Sequence, residues 1–193
     1  KVNTEHSENI QDVIEAFYYA ARNGAKIIHY ESTFSWNIDT LTLRNVIQEI
    51  AKQYDVLFVV GAGDSARNID FFPIYPASYK NDNLIVVAST DRYGGLSHFS
   101  NYGPMSVDLA APGTSIYSTT PDKRYDYMSG TAIAAASVAA VAAEVWSNKP
   151  NLSPMEIKSI LMQSVQPIDS FEGRLVSTGI INLYMALILS SQN

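Results

Sequence analysis

Two short stretches carry residues whose types and spacing suit chemistry at a backbone turn. In "SGTAIAAASVAA", residues 129–140, Gly130 permits a tight turn into a helix and Thr131 can cap it. The small residues Ala132, Ala134, Ala135, Ala136, Ala139 and Ala140 then allow close packing. The start of such a helix offers unpaired N–H groups and the positive end of a dipole, a place to stabilise a developing anion. In "VVGAGDSA", residues 59–66, an apolar run ends in Gly61, Ala62, Gly63 and Asp64. Histidine, the commonest general base, occurs as His6, His29 and His98 in "TEHSEN", "IIHYES" and "LSHFSN". These contexts read as loop, strand and turn. Taken alone, an Ala-rich helix after Ser-Gly-Thr equally describes a packed core helix, and Asp64 a solvated loop acid.

The elements that would position these residues follow from periodicity. Ile10, Val13, Ile14, Phe17 and Ala21 recur at helical spacing between Glu8 and Gly24, and Gly24 supplies the left-handed residue that ends the helix. A short β-rich run, "AKIIHYES", leads to a second helical pattern with Leu43, Val46, Ile47, Ile50 and Tyr54 on one face. "VLFVVGAG" and "NLIVVAST" are continuous apolar runs of the kind buried on both faces of a parallel sheet, and "VDLAAPG" repeats the pattern more briefly. Ser153, Pro154 and Glu156 suit the N-cap, N1 and N3 positions of a capping box. The alternation predicts an α/β fold of three layers, a parallel sheet with helices on both faces, and function at the carboxyl ends of its strands. No repeat or linker divides the chain, so residues 1–193 read as one domain.

Composition excludes several classes of function. The 193 residues are 47% hydrophobic and 17% charged, as in a globular protein. A formal charge of −6 without a basic stripe argues against nucleic acid as a partner. There is no cysteine, hence no disulfide and no thiolate metal site, and no apolar stretch has the length of a membrane span. The chain opens on Lys1 without an initiator methionine, which points to processing or excision from a longer polypeptide.

The Ser-Gly-Thr helix start resembles that of the subtilisin-like serine proteases, whose nucleophile opens a buried helix within Gly-Thr-Ser-Met-Ala. Ala132 falls where the serine belongs. The resemblance continues in order through "VVGAGDSA", "YPASYKNDNLIVVAST", "FSNYGPMSVDLAAPG", "SPMEIKSILMQS" and "GIINLYMALI". It implies the C-terminal portion of a subtilisin-like fold, in a secreted or extracytoplasmic protein. Acyl transfer in the family needs a serine, a histidine and an aspartate. The motifs that carry the aspartate and histidine lie upstream of the matched region, and none of the three histidines has the required context.

Several positions depart from the family pattern. The family's Ala-x-Pro-His-Val-Ala-Gly reads Ala134, Ala135, Ala136, Ser137, Val138, Ala139, Ala140 here. Asp64 replaces the oxyanion-hole asparagine, and an ionised carboxylate would repel a tetrahedral oxyanion where a protonated one could donate to it. Some convertases of the family also carry aspartate there. The substrate strand, commonly Asn-Met-Ser-Leu-Gly, reads His29, Tyr30, Glu31, Ser32, Thr33. The resemblance further implies a substrate pocket walled by Gly61, Ala62 and Gly63, with Ile74 near its floor, that takes an apolar side chain.

The family's central strand is absent from this sequence. An upstream polypeptide carrying the Asp/His part of the fold, or self-association, would then cover the edge running from Ala25 to Tyr30. "ASYKND" lies where the family has a weak cation loop, a weak pointer to calcium. No metal or other cofactor is expected, and Asp82 and Asp91 read as turn residues. Three functions compete: an endopeptidase fragment, inactive because Ala132 replaces serine; a pseudoprotease that binds a peptide or protein ligand; and a structural module.

Overall fold

The computed structural model describes residues 9–31 and 40–192. Helix α1 (Ile10–Arg22) starts at Asn9, whose side chain accepts from the Gln11 N–H, and buries Val13, Ile14, Phe17 and Ala21. Helix α2 (Thr40–Tyr54) buries Leu43, Val46, Ile47 and Ile50. The strands are β1 (Ile27–Tyr30), β2 (Leu57–Gly61), β3 (Leu84–Thr90) and β4 (Leu109–Pro112), followed by the β5 (Ile116–Thr120) and β6 (Arg124–Met128) ribbon. After helices α3 (Thr131–Asn148) and α4 (Pro154–Gln163) come β7 (Gln166–Pro167), β8 (Gly179–Ile180) and α5 (Leu183–Ser191).

The main sheet runs in the order β1-β2-β3-β4-β8-β7, with β1 as its end strand. Pairs from β1 to β4 and on to β8 are parallel, in registers such as His29↔Val59 and Val60↔Val86. Alternate strand residues serve opposite layers, as a period of two requires. Phe58, Val60, Val86 and Ala88 pack with α1 and α2; Leu57, Val59, Ile85 and Val87 pack with α3, α4 and α5. That is the three-layer arrangement expected from the apolar runs.

Two features differ from the expected all-parallel sheet. The far edge is antiparallel, β7 to β8, and β5–β6 form a separate antiparallel ribbon. The residues between β5 and β6 form only a 3-10 turn, Pro121–Lys123, too short for a parallel crossover. β6 is exposed throughout, so it lacks the alternating burial that would mark it in the sequence.

The capping box of α4 forms as the spacing predicts. Ser153 Oγ accepts from the Glu156 N–H at 3.3 Å, and Glu156 Oε2 accepts from the Ser153 N–H at 2.7 Å. α3 is the helix nearest the sheet centre. Ala134, Ala135, Val138 and Ala142 are fully buried against the strands, an approach that larger side chains would prevent.

Candidate active site

The carboxyl end of β2 and the amino end of α3 meet through glycine. A Cβ on Gly61 would lie 2.7 Å from Thr131 Oγ1 and 2.9 Å from Ala132 N, so only glycine permits the contact. Gly61→Ala is expected to destabilise the protein by about 1–3 kcal/mol through overpacking, which a thermal melt would detect. Gly63 has φ +91°, and a Cβ there would come 2.6 Å from Ile74 Cδ1 and from Asn101 Nδ2. The structure thus sets Gly61 beside position 132 and Gly63 against Ile74, with Ala62 buried between the two glycines.

Thr131 does not cap α3. The N-cap is Gly130, Thr131 is the first helical residue, and its buried side chain turns inward, where Oγ1 accepts from the Gly63 N–H at 2.9 Å. Asp64 does the capping instead: its Oδ1 accepts from the Thr131 N–H at 2.9 Å. A carboxylate reaching across from another loop meets both the unpaired N–H and the dipole of the helix end. Ala132 follows at the second helical position and is half-buried, not fully enclosed as a core helix would hold it. Asp64 is exposed.

The turn before α3 is tied to the end of β4: the Gly130 N–H donates to the Gly113 carbonyl at 2.9 Å, and the Ser115 N–H to Ser129 Oγ at 2.9 Å. Asn101 is a positioning residue that the sequence alone does not single out. It is buried, its Oδ1 accepts from the Ser65 and Arg67 N–H groups, and its Nδ2 donates to the Ala62 carbonyl at 2.8 Å. One side chain therefore fixes the loop that presents Asp64. Its only sequence signal is membership of "FSNYGP".

Of the histidines, His6 lies outside the described residues and His98 occupies a turn. His29 is a strand residue, as expected, but its ring also faces the backbone of Ala132. Burial holds the imidazole below its ordinary pKa, while the Glu31 carboxylate and the Ala132 carbonyl act in the opposite direction. Glu31 is exposed; Ser32 and Thr33 lie outside the described residues. Asp91 accepts from the Tyr93 and Gly95 N–H groups, and Asp82 lies in a turn, the roles their contexts suggest.

Beside "ASYKND" the positive charge comes from lysines. Lys158 Nζ lies 2.5 Å from the Leu84 carbonyl and 3.2 Å from Asp108 Oδ1, and Lys80 Nζ donates to the Met105 carbonyl. These oxygens already hold an ammonium. Among the described residues no three or more His, Cys, Asp or Glu side chains gather as a metal site, and no helix is long and apolar enough to cross a membrane.

Known proteases share both sequence and fold with this chain. The chain is 36% identical over 181 residues to the thermophilic serine proteinase of a Bacillus species, covering 94% of this chain and 42% of that protein. It is 35% identical over 175 residues to thermitase of Thermoactinomyces vulgaris, covering 91% of this chain and 58% of thermitase. It therefore spans less than two thirds of either relative. A solved protease from Pseudoalteromonas arctica superimposes with a TM-score of 0.84 at 27% identity, covering 98% of this chain and 61% of that one. A structure of the subtilase cytotoxin SubAB reaches 0.85 at 23% identity, over 100% of this chain and 68% of that one, a likeness of fold alone. The profile of the subtilase family matches residues 1–179, and with these relatives and this doubly covered sheet the chain belongs to the subtilase family.

Proposed function

We propose that this chain is the part of a subtilisin-like serine endopeptidase domain that holds the nucleophile's seat and the wall of the peptide cleft, and that as given it does not hydrolyse peptides. The observation that carries this reading is Ala132 at the second position of α3, beside the Gly61–Gly63 wall. A methyl group can neither attack a carbonyl nor yield a proton, so no acyl-enzyme forms there. The cleft is proposed to take an apolar side chain between Gly61, Ala62, Gly63 and Ile74, with the ligand backbone along Glu31, Ser32 and Thr33 as an added strand.

A pseudoprotease that binds a peptide or protein without cleaving it is the second reading. It is favoured by Asp64, which accepts a hydrogen bond from the helix end where an oxyanion hole needs a donor. In either reading, an upstream polypeptide carrying the aspartate and histidine, or a second copy of this chain, is proposed to add to the sheet at β1, its end strand.

Calorimetry with an acetylated tetrapeptide amide ending in phenylalanine, alongside a fluorogenic casein assay, tests the proposal. Binding without hydrolysis is the expected result. Hydrolysis by the chain with Ala132 intact would refute it.

A further inference from the structure

We propose that the cleft between α2 and the amino end of α4 binds a small zwitterion, an α-amino acid, with its carboxylate toward Arg44 and Lys52 and its ammonium toward Asp82 and the Asn81 side-chain oxygen. The cleft has a volume of about 260 Å³ and lies at the amino ends of β2 and β3, the opposite end of the sheet from Ala132. Helical spacing places the cations. Arg44, Gln48 and Lys52 follow one another at i, i+4 and i+8, so they form one stripe of α2 along the cleft. Asn81 belongs to the floor, is only 7% exposed, and donates from Nδ2 to the Arg44 carbonyl at 3.3 Å. Its Oδ1 has no hydrogen-bond partner among the described residues. A buried acceptor left open is costly, and an N–H arriving in the cleft removes that cost.

Among the described residues, Arg44, Lys52 and Asp82 form no ion pair, whereas Asp55 pairs with Lys26 at 4.0 Å and Lys80 donates to the Met105 carbonyl and to Ser106 Oγ. Two cations, one anion and one amide oxygen are therefore open to a ligand. Helix α4 adds a donor. Its N1 residue, Pro154, has no N–H, and the Glu156 N–H is taken by Ser153 Oγ, so the Met155 N–H stays open at the positive end of the dipole. A carboxylate satisfies the cations and this N–H, whereas a dianion such as phosphate meets the repulsion of Asp82. An ammonium on the same molecule is attracted by Asp82 and donates to the Asn81 Oδ1. Ala51 and Met155 line the cleft with apolar surface, which suits an aliphatic side chain beside the two charged groups.

Nitrogen–proton correlation spectra of the 193-residue chain, titrated with L-leucine, test the proposal. The expected result is a saturable shift of the Lys52 and Met155 amides and of the Asn81 side-chain NH2, with a dissociation constant on the order of 1 mM, the scale that so few ligand atoms supply. N-acetyl-leucine lacks the ammonium and leucine amide the carboxylate, and each should bind about tenfold more weakly. Arg44→Gln, Lys52→Gln and Asp82→Asn change exposed side chains, so the fold is kept, and each should weaken L-leucine binding about threefold. Asn81→Leu would also remove the bond to α2, which is why the exposed positions carry the test. No saturable shift at roughly 20 mM L-leucine, well above that constant, would overturn the proposal. So would N-acetyl-leucine or inorganic phosphate binding as tightly as L-leucine, unchanged affinity in all three variants, or shifts confined to the loop of Gly61–Gly63.

Discussion

Ala132→Ser, made in the chain joined by the upstream polypeptide proposed to supply the aspartate and histidine, is expected to convert a chain silent toward fluorophosphonate into one that is labelled at residue 132. The surroundings of residue 132 support the proposed seat of a nucleophile. It is half-buried, at the second residue of a helix whose first N–H is already capped, and close enough to β2 that Gly61 must be glycine. The span of the effect is large: in subtilisin itself, loss of the serine lowers kcat by roughly a millionfold. Full recovery is not expected from the serine alone, because Asp64 accepts a hydrogen bond at the helix end where a developing oxyanion needs a donor. Ala132→Ser with Asp64→Asn should label faster than Ala132→Ser by about 10²–10³-fold, the usual worth of one oxyanion donor. A folded double variant that stays unlabelled would eliminate the endopeptidase reading and leave the pseudoprotease.

Lys158→Met is expected to give the largest loss of stability. Lys158 and Asp108 are paired with side chains only 19% and 11% exposed, and the carboxylate also accepts from the Val86 N–H at 2.8 Å. Burial pushes the Asp108 carboxyl above its ordinary pKa, against the pull of Lys158 and of that N–H. Removing the lysine leaves a buried charge without its partner, a change that costs about 3–5 kcal/mol. For a chain of this length the melting temperature should drop by roughly 6–20 °C. The sign of the pH dependence follows from the raised carboxyl pKa. The folded state holds the Asp108 proton more tightly than the unfolded state, so the variant's stability falls as pH rises through the folded value, and its deficit narrows on acidification. Adding Asp108→Asn should recover most of the loss, since the amide oxygen can still accept from Val86. Thermal melts of both variants across pH would check this, and a double variant no more stable than Lys158→Met would show that the unpaired charge is not the cause.

Much of the fold is legible because its signals are local. The apolar runs of β2 and β3, the capping box at Ser153 and the small residues of α3 each follow from burial or hydrogen bonding within a few positions. The β5–β6 ribbon is not legible, because β6 buries nothing and so has no periodic pattern. The neighbours within the candidate site are partly legible: Gly61 lies against Ala132, Gly63 against Ile74, and Asp64 against the Thr131 N–H. Roles within the site are less so. Thr131 carries the composition of an N-cap, yet the helix is entered one residue earlier and Asp64 takes the task.

What the sequence by itself determined is the order of most of the elements, the two-sided burial of the sheet and the family. Only the tertiary structure decided which groups pair: Asp64 with an N–H 67 residues away, and Lys158 with a carboxylate 50 residues away. The reason is physical. Periodicity records which side of an element is dry, a property each residue shares with its neighbours in the chain. A hydrogen bond depends on two groups arriving within about 3 Å at the right angle, which is fixed only when separate elements have packed.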